Sequence, residues 1–240
     1  MLKLLRTLHT RPDLAHRIVT FDGSLYPIAP VVSTPSIQRQ QRPMNRSERA
    51  LSSTIVILIH NMMNVKSLTL HDFSWVGTPC QAIVCNAISS TLSFTSLTAL
   101  AVEGRDFGER REYSSQLSLI LRSQPLLECL ELRSGAWDLG RWIFRSGVPR
   151  LTRLVARLDE AKVLVPGRPI TSLSIKHMSG PPSLDVWEAL AASTAKVTAL
   201  ALDAGYGPLE PSLRSIALHL QSIQELVITG VSIREIEWVC

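Results

Sequence analysis

One hydrophobic phrase, apolar-x-x-apolar-x-apolar, recurs along the chain. It reads Val65-x-x-Leu68-x-Leu70, Leu97-x-x-Leu100-x-Val102, Leu127-x-x-Leu130-x-Leu132 and Leu151-x-x-Leu154-x-Ala156. It continues as Ile170-x-x-Leu173-x-Ile175, Val197-x-x-Leu200-x-Leu202 and Ile223-x-x-Leu226-x-Ile228. The middle leucine falls at 68, 100, 130, 154, 173, 200 and 226, in steps of 32, 30, 24, 19, 27 and 26 residues. The last four residues of each phrase alternate in and out, the period of a short half-buried strand.

Between the phrases the apolar period becomes that of a helix. In Pro211–Gln221, Leu213, Ile216, Ala217 and Leu220 share one helical face, behind the start signal Pro211-Ser212. Ser183–Ser193 carries Leu184, Trp187, Leu190 and Ala191 in the same way, and Tyr113–Ser123 carries Leu117, Ile120 and Leu121. Asp138 suits the cap of a turn holding Leu139, Trp142 and Ile143. The 19-residue step, through Gly167-Arg168-Pro169, predicts a loop rather than a full helix.

A strand and a helix alternating at about 20–30 residues build a solenoid, because one unit cannot bury its apolar face alone. A doubly wound α/β sheet alternates the same elements. Its central strands, however, are continuous apolar runs, and no glycine-rich phosphate turn follows a strand here. The expected fold is therefore α/β, a right-handed solenoid with irregular repeats. Short parallel strands would line its concave face and helices its convex face. Residues 1–26 are expected to form a helix and a degenerate first repeat containing Ile18-Val19-Thr20-Phe21. The Pro-, Ser- and Arg-rich stretch 27–45 reads as a loop or linker. Residues 46–240 hold about seven repeats, entered by a helix over Arg46–Asn64 with Leu51, Ile55, Leu58, Ile59 and Met62 on one face.

Composition narrows the class. At 240 residues, 45% hydrophobic and 19% charged, the chain is neither disordered nor a stapled mini-protein. Four cysteines are too few for a disulfide scaffold. The net charge of +5 sits entirely in residues 1–50, which hold eight basic and three acidic groups. That arm admits a nucleic acid or an anionic surface as partner, but it lacks interleaved aromatics for base stacking, so nucleic acid is not the favoured partner. Residues 73–102 carry no charge, yet Pro79, Gln81, Asn86 and many Ser and Thr residues argue against a membrane span. The apolar run at the start is too short for an export signal, and a mitochondrial leader is the lesser alternative. The chain is expected inside the cell, in cytoplasm and/or nucleus.

The phrase L-x-x-L-x-L resembles the strand signature of leucine-rich repeats. The irregular step, together with Pro125-Leu126-Leu127-Glu128-Cys129-Leu130-Glu131-Leu132, resembles most the divergent repeats of fungal F-box proteins. Leu4-Leu5-Arg6-Thr7-Leu8 followed by Arg11-Pro12-Asp13-Leu14-Ala15 is similar to the join that precedes such repeats. The resemblance covers nearly the whole chain and implies a substrate-recognition subunit of a Skp–cullin–F-box ubiquitin ligase. The F-box, which would bind the Skp-type adaptor, is not found: nothing before residue 65 pairs a Leu-Pro with its helices. A repeat-only relative, or a chain lacking that module, is expected. The ending Glu235-Ile236-Glu237-Trp238-Val239-Cys240 has no polar capping unit and suggests an incomplete array.

No constellation of residues amounts to a catalytic or metal site. Cys80 and Cys85 form the only close cysteine pair, with His71 nine residues upstream and no fourth ligand. The six histidines share no motif with a nucleophile, and Asp159-Glu160 beside Lys162 reads as a solvated turn. No cofactor is expected, and the chain does not read as an enzyme. The functional candidate is the concave face, where an unknown protein ligand would sit. Its last outward positions are His71, Glu103, Arg133, Arg157, Lys176, Asp203 and Thr229. The row before it is Thr69, Ala101, Glu131, Val155, Ser174, Ala201 and Val227. The partner-binding set expected is His71, Glu103, Glu131, Arg133, Arg157, Lys176 and Asp203. Its centre is basic, suited to acidic groups of a partner. The ordinary alternative is that these charges pair with one another.

Overall fold

In the computed structural model every phrase becomes a five-residue strand, and one strand precedes them. The structure describes residues 7–8, 10–24, 53, 57, 61–62, 64–71, 96–103, 117–118, 120–133, 147–176, 184–203 and 209–230. The strands are β1 (Thr20–Ser24), β2 (Ser67–His71), β3 (Ala99–Glu103), β4 (Cys129–Arg133), β5 (Arg153–Arg157), β6 (Ser172–Lys176), β7 (Ala199–Asp203) and β8 (Glu225–Thr229). They form one open, all-parallel sheet in the order β1 to β8. The fold is α/β, and its sequential strand order is compatible with a solenoid.

The repeated phrase sets the register. Leu68, Leu100, Leu130, Leu154, Leu173, Leu200 and Leu226 follow one another across the sheet, partnered on the β1 side by Phe21. From Leu68 to Leu200 these leucines are buried, as are the second inward residues Leu70, Val102, Leu132, Ala156, Ile175 and Leu202. The first position of the phrase is buried as well in Val65, Leu97, Leu127, Leu151, Ile170 and Val197. The core is thus a continuous apolar spine.

A second ladder runs just before the strands. Thr98 and Ala99 both donate their amides to the Lys66 carbonyl, and Glu128 and Cys129 do the same to Thr98. The same fork joins Thr152 and Arg153 to Glu128, Thr171 and Ser172 to Thr152, Thr198 and Ala199 to Thr171, and Gln224 and Glu225 to Thr198. The hydroxyls of Thr98, Thr152, Thr171 and Thr198 donate to these same carbonyls at 3.2, 3.2, 3.4 and 3.3 Å. Threonine at the second place of the phrase therefore stitches four of the seven units to the one before.

The connecting helices differ in detail from the sequence pattern. The helices whose full span is described are α1 (Pro12–Ala15), α2 (Leu158–Leu164), α3 (Leu184–Ala191) and α4 (Leu209–His219). The 19-residue step holds α2, a helix where a loop was expected. It starts directly after β5, so no residues are spent on a connection. Glu160 is accordingly not part of a solvated turn. It is 1% exposed, and its carboxylate accepts the Arg157 amide at 2.6 Å, capping the helix start. In α3 the buried stripe is Val186, Trp187 and Leu190; Leu184 is 65% exposed and Ala191 is also exposed. In α4 Ile216 is buried, Leu220 just beyond the helix is buried too, and Ala217 faces solvent. The helix start moves two residues earlier than Pro211, which leaves the proline in the first turn where its missing amide is harmless. Leu117, Ile120 and Leu121 are buried as expected. The 27–45 linker, the turn after Asp138 and the Cys80–Cys85 pair lie outside the described residues, as does most of the helix over Arg46–Asn64.

The expected first unit also shifts. The Lys66 and Ser67 amides fork onto the Val19 carbonyl, so Val19 precedes the strand instead of lying within it. The phrase in this unit is Ile18-x-x-Phe21-x-Gly23, with glycine at the third apolar place. Asn64 Nδ2 donates to the His16 carbonyl at 2.8 Å and ties this unit to the next.

Candidate protein-interaction surface on the polar face of the sheet

Alternation within each strand puts three side chains on the face away from the apolar spine. The middle row is continuous in register: Thr69, Ala101, Glu131, Val155, Ser174, Ala201 and Val227. The last row aligns Glu103 with Arg133, Arg157 with Lys176 and Asp203 with Thr229. All seven expected partner-binding residues therefore lie on one sheet face, six of them at the C-terminal ends of their strands and Glu131 in the middle row. Val155 is buried, although it stands in this outward set. It lies between the long side chains of Arg153 and Arg157 on its own strand and beside Glu131 in register.

The charges divide into two groups. On the β1 side they neutralise each other. His71 Nδ1 is 2.6 Å from Glu103 Oε2, and its Nε2 is 2.6 Å from Asp22 Oδ1. The hydrogen bond to Glu103, then that to Asp22, holds the imidazole above its ordinary pKa. Asp22 was not among the expected residues. Its signal was the shift of β1, which carries Asp22 towards His71. Arg133 Nε donates to Glu131 Oε2 at 2.7 Å on the same strand. Four of the seven, His71, Glu103, Glu131 and Arg133, are thus engaged internally.

On β5 and β6 the pattern reverses. Arg157 and Lys176 face each other directly across the strand pair, and Arg153 stands exposed on the same strand as Arg157. Among the described residues neither Arg157 nor Lys176 has a side-chain acid partner. Like charges directly opposite each other on a sheet are destabilising. Beyond them the face is low: Ser172, Ser174, Ala199 and Ala201 supply only short side chains. Cys129 is a free, half-buried thiol at the start of β4, and burial pushes its pKa up.

Among the described residues no group of three or more His, Cys, Asp or Glu side chains could hold a metal ion. Within the basic arm, Arg11 is tied to Asp13 by two hydrogen bonds of 2.9 and 2.8 Å. Among the described residues no helix is long and apolar enough to cross a membrane. Trp187 is buried in the core. No protein-family model matches this chain, and no curated protein matches it.

Proposed function

We propose that the protein is a non-catalytic protein-interaction module, a leucine-rich-repeat solenoid whose concave sheet face captures an acidic segment of a partner protein. The observation that carries this reading is the opposed pair Arg157–Lys176. A sheet that pairs His71, Glu103, Glu131 and Arg133 internally leaves these two cations side by side, a local cost that an incoming carboxylate would remove. The short side chains of β6 and β7 leave space beside them for a chain. The resemblance to F-box repeats adds a role inside the cell, in cytoplasm or nucleus: presenting the captured protein to a ubiquitin ligase through a Skp-type adaptor.

The test is affinity purification of the native protein with quantitative mass spectrometry, comparing wild type with Arg157→Glu/Lys176→Glu. Arg150→Glu, a reversal of an exposed cation away from the strands, serves as control. Partners lost in the double variant and kept in the control support the module. Partners unaffected by either variant overturn the placement of the site. A Skp-type adaptor that persists in both variants supports the ligase link, and its absence from all three samples removes that link.

A further inference from the structure

One register row on the polar face crosses four strands with opposite charges at its ends. Arg153 on β5 is followed by Ser172 on β6, Ala199 on β7 and Glu225 on β8. Adjacent strands lie about 4.8 Å apart, so the two charged residues stand about 14 Å apart, too far to pair. Both are exposed, and among the described residues neither has an ionic partner. The next row on this face has the same relief: Val155, Ser174, Ala201 and the 43% exposed Val227. The face therefore holds a trough. Serine and alanine of β6 and β7 form its floor, and the arginines of β5 form a cationic wall. The wall of β8 carries one carboxylate and one exposed apolar side chain. Asp203, at the end of β7, is already engaged. Along the cationic wall Arg153 and Arg157 are four residues apart on an extended strand, about 13 Å.

We infer that the partner segment lies extended along this trough and carries charges of both signs at a fixed spacing. The inference rests on the acidic-segment reading above and adds what that segment must carry. Two acids four residues apart in an extended chain also span about 13 Å, so they meet Arg153 and the Arg157–Lys176 pair together. On a helix the same two acids would rise only about 6 Å and could not. Successive side chains of an extended chain point to opposite sides. With the acids turned to β5, the alternate residues face β8. There Glu225 selects a basic residue and Val227 an apolar one. The segment thus reads acid-base-small-apolar-acid, or the reverse if it runs antiparallel to the strands. A run of acids alone would set a carboxylate against Glu225, so the β8 wall discriminates against polyacidic chains.

The experiment is fluorescence anisotropy of dye-labelled peptides against the full chain, at physiological salt so that charges beyond contact are screened. The probes are Glu-Lys-Ser-Val-Glu, its reverse Glu-Val-Ser-Lys-Glu and the all-acid Glu-Glu-Ser-Val-Glu, each flanked by glycines. One of the two mixed orders should bind about two- to fivefold more tightly than the all-acid peptide, the size of an exposed charge pair. Glu225→Lys should reverse that preference. Glu225→Gln, a milder change that keeps the test open if the lysine variant fails to fold, should abolish it. Arg157→Glu/Lys176→Glu should weaken all three peptides. An all-acid peptide that binds wild type as tightly as either mixed one overturns the inference and leaves the acidic-segment reading standing. So does a preference for the mixed peptide that Glu225→Gln leaves unchanged. Failure of all three peptides to bind overturns both.

Discussion

His71 Nδ1 lies 2.6 Å from Glu103, one strand further along the sheet, and the opposite ring nitrogen lies 2.6 Å from Asp22 on the other side. Ionised carboxylates only accept hydrogen bonds, so a ring that donates from both nitrogens is an imidazolium. It spans β1 to β3 as an electrostatic clamp. The folded-state pKa is raised, so the clamp contributes fully below the unfolded value of about 6.5 and is lost as pH rises through the folded value. The side chain is 34% exposed, which limits the contribution to less than about 1 kcal/mol. His71→Gln should therefore lower the melting temperature at about pH 5.5 and leave it unchanged at about pH 9. An NMR titration of the ring should give a midpoint above the free-histidine value. A midpoint at or below it would remove the clamp.

Leu130 lies between Leu100 and Leu154 in the apolar spine and is fully buried. Truncation leaves a cavity that units on both sides must close. Leu130→Ala should cost roughly 2–5 kcal/mol by chemical denaturation. A loss under about 1 kcal/mol would mean that the central units are not packed as a continuous core.

Lys176 stands opposite Arg157 without an acid of its own among the described residues. Lys176→Glu turns the opposed cations into a cross-strand ion pair. Stability should rise by about 0.2–1 kcal/mol, while binding of the acidic partner should fall. A variant that gains stability and loses binding is the signature of a site kept for function at the expense of the fold. Equal loss of both would instead mark Lys176 as a structural residue.

The strands were legible because their signal is local. The phrase fixes which residues point inward, and two of three outward positions follow from it. What escaped the sequence depends on neighbours in space. The first unit is obscured because Gly23 takes an apolar place of the phrase, so only the carbonyl fork at Val19 reveals its register. Asp22 joined the His71 clamp for the same reason. Helix α2 was hidden because its capping carboxylate, Glu160, has the composition of a surface turn but lies buried against the Arg157 amide. In α3 Val186 joins the expected Trp187 and Leu190 in the buried stripe, while Leu184 and Ala191 are left exposed. The threonine ladder did leave a trace, the recurring second-place Thr98, Thr152, Thr171 and Thr198. Its meaning appears only once the preceding unit supplies the carbonyl.

Arg168 carries the last prediction. Its neighbours in sequence, Gly167 and Pro169, mark a turn, and Gly167 has a positive φ of 75° that suits glycine. The guanidinium nevertheless lies inside, with the residue 0% exposed. Nη1 donates to the Leu164 carbonyl at 2.8 Å and more weakly to Val163, satisfying carbonyls at the end of α2. Nε donates to the Gly147 carbonyl at 2.9 Å, in the preceding unit. The Arg168 carbonyl accepts the Thr194 amide and the Ser193 hydroxyl from the following unit. One residue thus ties three successive units together in the shortest step of the chain. Arg168→Ala should strand several buried carbonyls, each costing about 1–3 kcal/mol, and so destabilise by about 3 kcal/mol or more. Arg168→Lys should recover only part of this, since an ammonium cannot reach Gly147 and Leu164 with the same planar fork. Chemical denaturation of both variants checks the order. If lysine matches arginine, charge alone holds the junction; if alanine matches arginine, the three units are held by their apolar spine and the threonine ladder.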